Sequence, residues 1–294
     1  MHSIAVLVPA YNAAGSMGRL VDSLKRQSVP FDQVVVVDDG SSDDTAILAK
    51  ALMPEADVIR LNENSGKYHA LMAGLDAVKC DYTVQIDADD ELSDGFVEFV
   101  NGILDAYGYD YVYMPMTRLE PNGGMHRVDE STPLDRKEAS DCLDVFLSYR
   151  NPWYVAGKAV RTGIWRDAMD PSIPKNIILD DVFISLKLHV LSKSYCRPET
   201  EESYLYYFGV GYWSSSRDSI TLDWFMKNLE MRLLEYRNNL DFLERHGFGR
   251  KYAAALYERC DFRTLLCMLP LLPVKDLLHA LAALDSKCVL FPKQ

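Results

Sequence analysis

The chain has 294 residues, 48% of them hydrophobic and 25% charged, with 16 glycines and 13 prolines. This composition excludes a disordered or fibrous protein, and the length exceeds the roughly 100–200 residues usual for one domain. Lys and Arg number 31 against 43 Asp and Glu, a formal charge of −12 that repels a phosphate backbone, so no nucleic-acid polymer is expected as a partner.

The six cysteines, Cys80, Cys142, Cys196, Cys260, Cys267 and Cys288, form no C-x-x-C pair and have no histidines at ligand spacing. Reduced thiols in a cytosol fit this pattern better than a zinc site or a redox motif. The start, Met1 to Pro9, carries neither a cationic leader nor a long apolar core, so no signal peptide is expected. The longest apolar stretch, Leu265 to Val274, is broken by Pro270 and falls short of the roughly 20 residues that span a bilayer.

Four times in the first third, a short β-branched run leads into a polar loop, and after the first three a stretch of helical periodicity follows. The runs are Ile4–Val8, Gln33–Val37, Val58–Leu61 and Tyr82–Ile86. Ser16 is positioned to cap the first helix, with Leu20, Val21 and Leu24 on its apolar face, and Ser42 or Asp43 to cap the second. Runs such as Val34–Val37 are apolar on both faces, as strands of a parallel sheet covered by helices must be. Such sheets bind ligands beyond the carboxyl ends of their strands, where all four polar clusters of this chain fall.

Tyr109–Thr117 reads as a further strand, and Pro121–Gly124 as a tight turn into Met125–Val128. Lys137–Ser148 and Val182–Leu191 have helical spacing, and Tyr204–Phe208 reads as an aromatic strand. Beyond Arg217, Leu222, Phe225, Leu229, Leu233, Tyr236, Leu240 and Leu243 recur at three- and four-residue steps, predicting a long amphipathic helix. Lys251–Leu269 and Val274–Leu284 read as further helices. The boundary is therefore placed near Ser219, with an α/β domain over 1–218 and a helical extension over 219–294.

Three carboxylates crowd into Asp87-Ala88-Asp89-Asp90, where mutual repulsion disfavours full ionisation and a divalent cation would relieve it. Taken alone, such a run is more often a solvated acidic turn; its place on the edge shared with the other polar loops favours the functional reading. Asp38-Asp39-Gly40-Ser41-Ser42-Asp43 offers acceptors for a nucleobase N–H or ribose hydroxyls, with some of its residues free to serve as helix caps. Asn64-Ser65-Gly66-Lys67 can bring backbone amides and one ammonium towards a diphosphate. His69, His126 and His189 have no companion at metal-ligand spacing and read as structural or solvated.

These residues resemble those of the family 2 glycosyltransferases, whose fold is GT-A. The resemblance rests on Pro9-Ala10-Tyr11-Asn12, Val37–Asp43, Asn64–Lys67 with Ala70 and Gly74, and Asp87–Asp90. It is strong over about 3–100 and looser to about Arg217, through Trp153–Trp165 and Leu179-Asp180-Asp181. It implies an α/β fold, a mostly parallel mixed sheet between helices, followed here by a helical C-terminal appendage. It also implies Pro9, Tyr11 and Asp39 around the nucleobase, Asn64, Gly66 and Lys67 near the nucleotide, Asp87 near the ribose, and Asp89 on Mn²⁺ or Mg²⁺. Asp181 corresponds to the catalytic base, with Asp180 orienting it or meeting the acceptor; a helix-capping role for the pair is almost as good a reading.

The implied reaction is inverting transfer of a sugar from a nucleotide-diphospho-sugar, a UDP-sugar by preference, to a saccharide or lipid-linked acceptor, in building a surface polysaccharide. A cation would neutralise the leaving diphosphate while a carboxylate takes the acceptor proton. Two competing readings are a sugar nucleotidyltransferase, which calls for a Gly-rich, Arg-bearing loop after the first strand where this chain has Tyr11–Gly15, and a non-catalytic nucleotide-sugar-binding module, against which all the proposed carboxylates are present. Aromatics at Asn151–Trp165, Tyr204–Phe208 and Tyr212-Trp213 are suited to stacking on sugars or to core packing. Many relatives carry Tyr-Arg where this chain has Tyr207-Phe208, leaving Arg217 as the nearby basic residue. The appendage admits three readings: a lid, a homodimer surface, or a peripheral contact with the inner face of the plasma membrane.

Overall fold

The computed structural model describes residues 2–128, 134–136, 139–147, 154–177, 180–209, 221–248, 252–259, 265, 269 and 272–286. The chain divides into two compact units, Met1–Gly211 and Tyr212–Gln294. The boundary expected near Ser219 lies outside the described residues, as do Asn151–Trp153, Leu179, Tyr212, Trp213, Arg217 and part of the helix expected over Lys251–Leu269.

The first unit opens with the expected strand–helix alternation. Strands β1 (Ile4–Ala10), β2 (Gln33–Asp38), β3 (Asp57–Arg60) and β4 (Tyr82–Gln85) are separated by helices α1 (Ala14–Lys25), α2 (Thr45–Leu52) and α3 (Lys67–Ala77). β1 pairs in parallel with β2 and β4, and β2 with β3. Every residue of β1 is buried, the mark of a strand covered on both faces. Each large aliphatic side chain in it contributes roughly 1.5–3 kcal/mol through burial.

The second half of the unit departs from this alternation. Its elements are β5 (Glu91–Leu92), α4 (Phe96–Tyr107), β6 (Tyr111–Tyr113), β7 (Met116–Leu119), β8 (Met125–Arg127), β9 (Leu134–Arg136), α5 (Ala139–Leu147), β10 (Lys158–Arg161), α6 (Thr162–Ala168), α7 (Asp180–Leu191), β11 (Tyr195–Arg197) and β12 (Tyr204–Tyr207). One sheet has the order β3-β2-β1-β4-β10-β6-β11-β9, with β10 antiparallel to both neighbours. A second has the order β5-β12-β7-β8. The single strand expected over Tyr109–Thr117 is thus two strands in different sheets. Met114-Pro115 separates them, and proline lacks the N–H that would continue a ladder. The expected turn at Pro121–Gly124 joins β7 to β8, with Gly123 at φ 84°.

In the second unit, a helix spans Leu222–Arg245, and Thr221 Oγ1 caps it by accepting from the Trp224 amide at 3.1 Å. Phe225, Leu229, Leu233 and Leu243 are buried as the spacing predicts. The buried face also carries Asn228, Arg232, Glu235 and Asn239, a polar row absent from the hydrophobic pattern. Helices Ala253–Arg259 and Val274–Ser286 pack on it. Among the described residues, no helix is long and apolar enough to cross a membrane.

Candidate active site

The loops after β1 and β2 fasten to one another. Asn12 adopts a left-handed conformation at φ 49°; its amide donates to Ser41 Oγ and its Oδ1 accepts from the Ser42 amide, both at 2.9 Å. The first amides around α1 are satisfied from the same neighbour, Ala13 N–H by Thr45 Oγ1 and Ala14 N–H by Asp43 Oδ2. The sequence-predicted cap at Ser16 is therefore corrected. Ser16 lies inside α1 and donates to the Ala13 carbonyl, because the next loop already supplies the acceptors that a cap would offer. Asp43 does not cap α2 by its position either, since Asp44 is the N-cap residue, but its Oδ1 accepts the Thr45 amide.

Asp39 joins the second loop to the third. Its two carboxylate oxygens accept from the amides of Ser65 at 2.8 Å and Gly66 at 2.7 Å. Gly66, at φ 87°, lies so close to Asn176 that an added Cβ would stand 2.9 Å from the Asn176 Cα; Gly40, at φ 68°, meets the Glu63 and Asn64 backbone as closely. The segment leading towards α7 is fastened to the same loop: the Asn176 amide donates to the Ser65 carbonyl at 2.9 Å, and Lys175 pairs with Glu63. Asn64 Oδ1 accepts from Gly66 N–H at 3.0 Å, closing the turn. Pro9 is buried in β1 beside Val37, whereas the Tyr11 ring is 50% exposed at the strand end.

Lys67, the first residue of α3, draws the remaining groups together. Its ammonium lies 2.8 Å from Asp87 Oδ1, beyond β4, and 3.5 Å from Asp181 Oδ1, in the first turn of α7. Burial by itself disfavours the charged lysine, but Asp181, Asp87 and Asp180 outweigh it and hold the ammonium well above its ordinary value. Burial raises both Asp180 and Asp181, against the opposing pull of Lys67, and Asp180 reaches about 7. Asp181 also accepts from the Val155 amide. Asp180 Oδ2 is buried and, among the described residues, has no hydrogen-bond partner.

The carboxylates of the acidic turn after β4 face different surroundings. Asp89 is half-buried, raised by burial and then by the charge of Asp87, while its own amide favours the ionised carboxylate. Asp90 is turned the other way: its Oδ2 accepts from Tyr204 Oη, its Oδ1 from the Tyr207 amide at 2.8 Å, and burial pushes it up to about 8. Arg19, from α1, donates to the Asp89 carbonyl and stacks over the Tyr207 ring. Arg19 does not stand out in the sequence, and Tyr204 stands out only as part of an aromatic strand; their contacts with the acidic turn depend on long-range packing. Among the described residues, no three Asp, Glu, His or Cys side chains form a ready-made metal cage. Half-buried hard oxygens on Asp87 and Asp89, mutually repelling, nevertheless fit a magnesium- or manganese-type cation that takes its other ligands from phosphate and water.

His69 Nε2 lies 2.9 Å from the Ile173 carbonyl, His189 is buried against the Tyr111, Phe146 and Tyr195 rings, and His126 is exposed.

A mixed sheet with nucleotide-type loops and carboxylates at one edge defines the GT-A class of glycosyltransferase fold. Residues 5–140, a little under half of the chain, match the model of glycosyl transferase family 2, and the chain is similar to that family over that segment. An undecaprenyl-phosphate 4-deoxy-4-formamido-L-arabinose transferase of Yersinia enterocolitica is 36% identical over 94 residues, 29% of this chain and 28% of the relative. The match thus spans under a third of that relative's length. Staphylococcus aureus TarS residues 1–349, solved with UDP-GlcNAc, superpose with TM-score 0.60 and 18% identity over 98% of this chain and 88% of that one. The mannosyltransferase PcManGT of Pyrobaculum calidifontis, solved with GDP-Man and Mn²⁺, gives TM-score 0.56 and 18% identity over 97% and 75%.

Proposed function

We propose that this chain is an inverting glycosyltransferase, moving a sugar from a nucleotide-diphospho-sugar to an acceptor hydroxyl in the synthesis of a surface polysaccharide. The observation that carries the reading is the Lys67 ammonium, which lies within 3.5 Å of both Asp87 and Asp181 and so brings the donor-side turn and the candidate base to one mouth. Tyr11 offers an exposed ring to the nucleobase, and Asp39 fixes the loop that carries Gly66 and Lys67. Asp89, together with Asp87, would hold Mn²⁺ or Mg²⁺; a bound divalent cation neutralises charge on a departing diphosphate.

Asp181 takes the acceptor proton as the hydroxyl attacks the anomeric carbon from the face opposite the leaving group. Its raised affinity for protons suits a base working near neutral pH, and Val155 N–H and Lys67 hold its carboxylate in place. Asp180 shares the charge of the pair and tunes its neighbour. A UDP-sugar is the preferred donor, supported by the TarS complex, although the mannosyltransferase neighbour holds a guanine nucleotide. The undecaprenyl-phosphate relative supports a lipid-linked acceptor, which would draw a cytoplasmic enzyme to the inner face of the plasma membrane. A thermal-shift panel of nucleotide diphosphates and their sugars, with and without Mn²⁺, tests the reading. Stabilisation of about 2.7 kcal/mol is expected at 100 times the dissociation constant. No stabilisation by any member of the panel would overturn it.

A further inference from the structure

The fourth residue of the acidic turn points away from the mouth, into a contact that no motif announces. Tyr204 is fully buried in the second sheet, and its hydroxyl donates to Asp90 Oδ2 while accepting from the Asp87 amide at 3.4 Å. The same strand supplies the Tyr207 amide to Asp90 Oδ1. Gly157 leaves the space: a Cβ there would stand 2.5 Å from Tyr204 Cβ. The Gly157 amide, in turn, donates to the Gln85 carbonyl, and Gln85 Nε2 to Asp87 Oδ1 at 2.8 Å. One hydroxyl therefore reaches both ends of the Asp87–Asp90 turn.

We propose that Tyr204 is a positioning residue for the donor turn, and that Asp90 is its anchor rather than a ligand of donor or cation. This inference rests on the donor reading given above. A turn of three adjacent carboxylates tends to spread by repulsion. The Tyr204 hydroxyl opposes this by holding Asp90 inward, which leaves Asp87 and Asp89 directed at the mouth. Removing the hydroxyl leaves a buried carboxylate oxygen and a backbone amide without partners, a loss felt in the shape of the turn.

Tyr204→Phe is compared with Tyr82→Phe, since Tyr82 is equally buried and its hydroxyl donates to the Tyr109 carbonyl at 2.8 Å, away from the turn. Calorimetric titration with UDP and MnCl₂ is read beside the melting temperature of each variant. Tyr204→Phe is expected to bind Mn²⁺ and UDP about tenfold more weakly. Tyr82→Phe is expected to lose stability alone. Equal binding by wild type and Tyr204→Phe, or an equal loss in Tyr82→Phe, would overturn the positioning role while leaving the donor reading intact. Failure of the wild type to bind UDP with Mn²⁺ would overturn both.

Discussion

The two edges of the parallel sheet use the same residue types to opposite ends. At the amino edge, Asp81 accepts from the amide and hydroxyl of Ser3, Asp32 from the Ile4 amide, and Asp57 from Gln33 Nε2. Hydrogen bonding to Ser3 holds Asp81 below the usual carboxylate range. At the carboxyl edge, Asp87, Asp89, Asp180 and Asp181 gather around one lysine, and burial raises Asp89, Asp180 and Asp181. Carboxylates satisfied by backbone stabilise a fold; carboxylates left in mutual repulsion are held ready for something else.

The largest effect that would test this contrast is at the base. Asp181→Asn should lower the transfer rate by about 10²–10⁴-fold with nucleotide affinity nearly unchanged in calorimetry. An equal loss of nucleotide affinity would move Asp181 from the base to the donor site. The same pair sets the pH dependence. Burial raises Asp181, so its carboxyl takes up a proton at a higher pH than an ordinary aspartate does, and the rate should fall on the acid side at a correspondingly higher pH. Lys67→Met removes the cation that opposes protonation, and the acid limb of a pH–rate profile should then move upward. A limb left in place would show that the lysine does not govern the base.

Gly66→Ala sharpens the contrast from the side of backbone. A side chain at φ 87° pressed against Asn176 should cost roughly 1–3 kcal/mol in urea unfolding and weaken nucleotide binding with it. The smallest effect belongs to the amino edge. Asp81→Asn, at an exposed group, should change stability by less than about 1 kcal/mol and leave the transfer rate as it was. A comparable rate loss at Asp81 would erase the distinction between the edges.

Much of this edge was legible in the chain. The β-branched runs, the polar loops that end them and the helical spacing between them depend on neighbours within a few residues, and β1 to β4 follow from them. The acidic turn was legible as a candidate for the same reason, whereas Asp180-Asp181 became a candidate only through the family resemblance. The roles inside the loops were not. Ser16 has the local features of a helix cap, yet acceptors 29 and 32 residues from Ala14 and Ala13 do that work. Tyr109–Thr117 has the composition of one strand, but its two halves find partners in different sheets.

Sequence alone determined the alternation of strands and helices, the edge at which the polar loops emerge, and the long helix Leu222–Arg245, because side-chain period and turn chemistry act over short distances. Tertiary structure decided which acids face one another: that Asp39 is occupied by two amides, that Asp90 turns towards Tyr204, and that Lys67 stands between Asp87 and Asp181. The physical reason is separation along the chain. Lys67 and Asp181 are 114 residues apart, and no local pattern encodes a distance that only the packed sheet and helices can set.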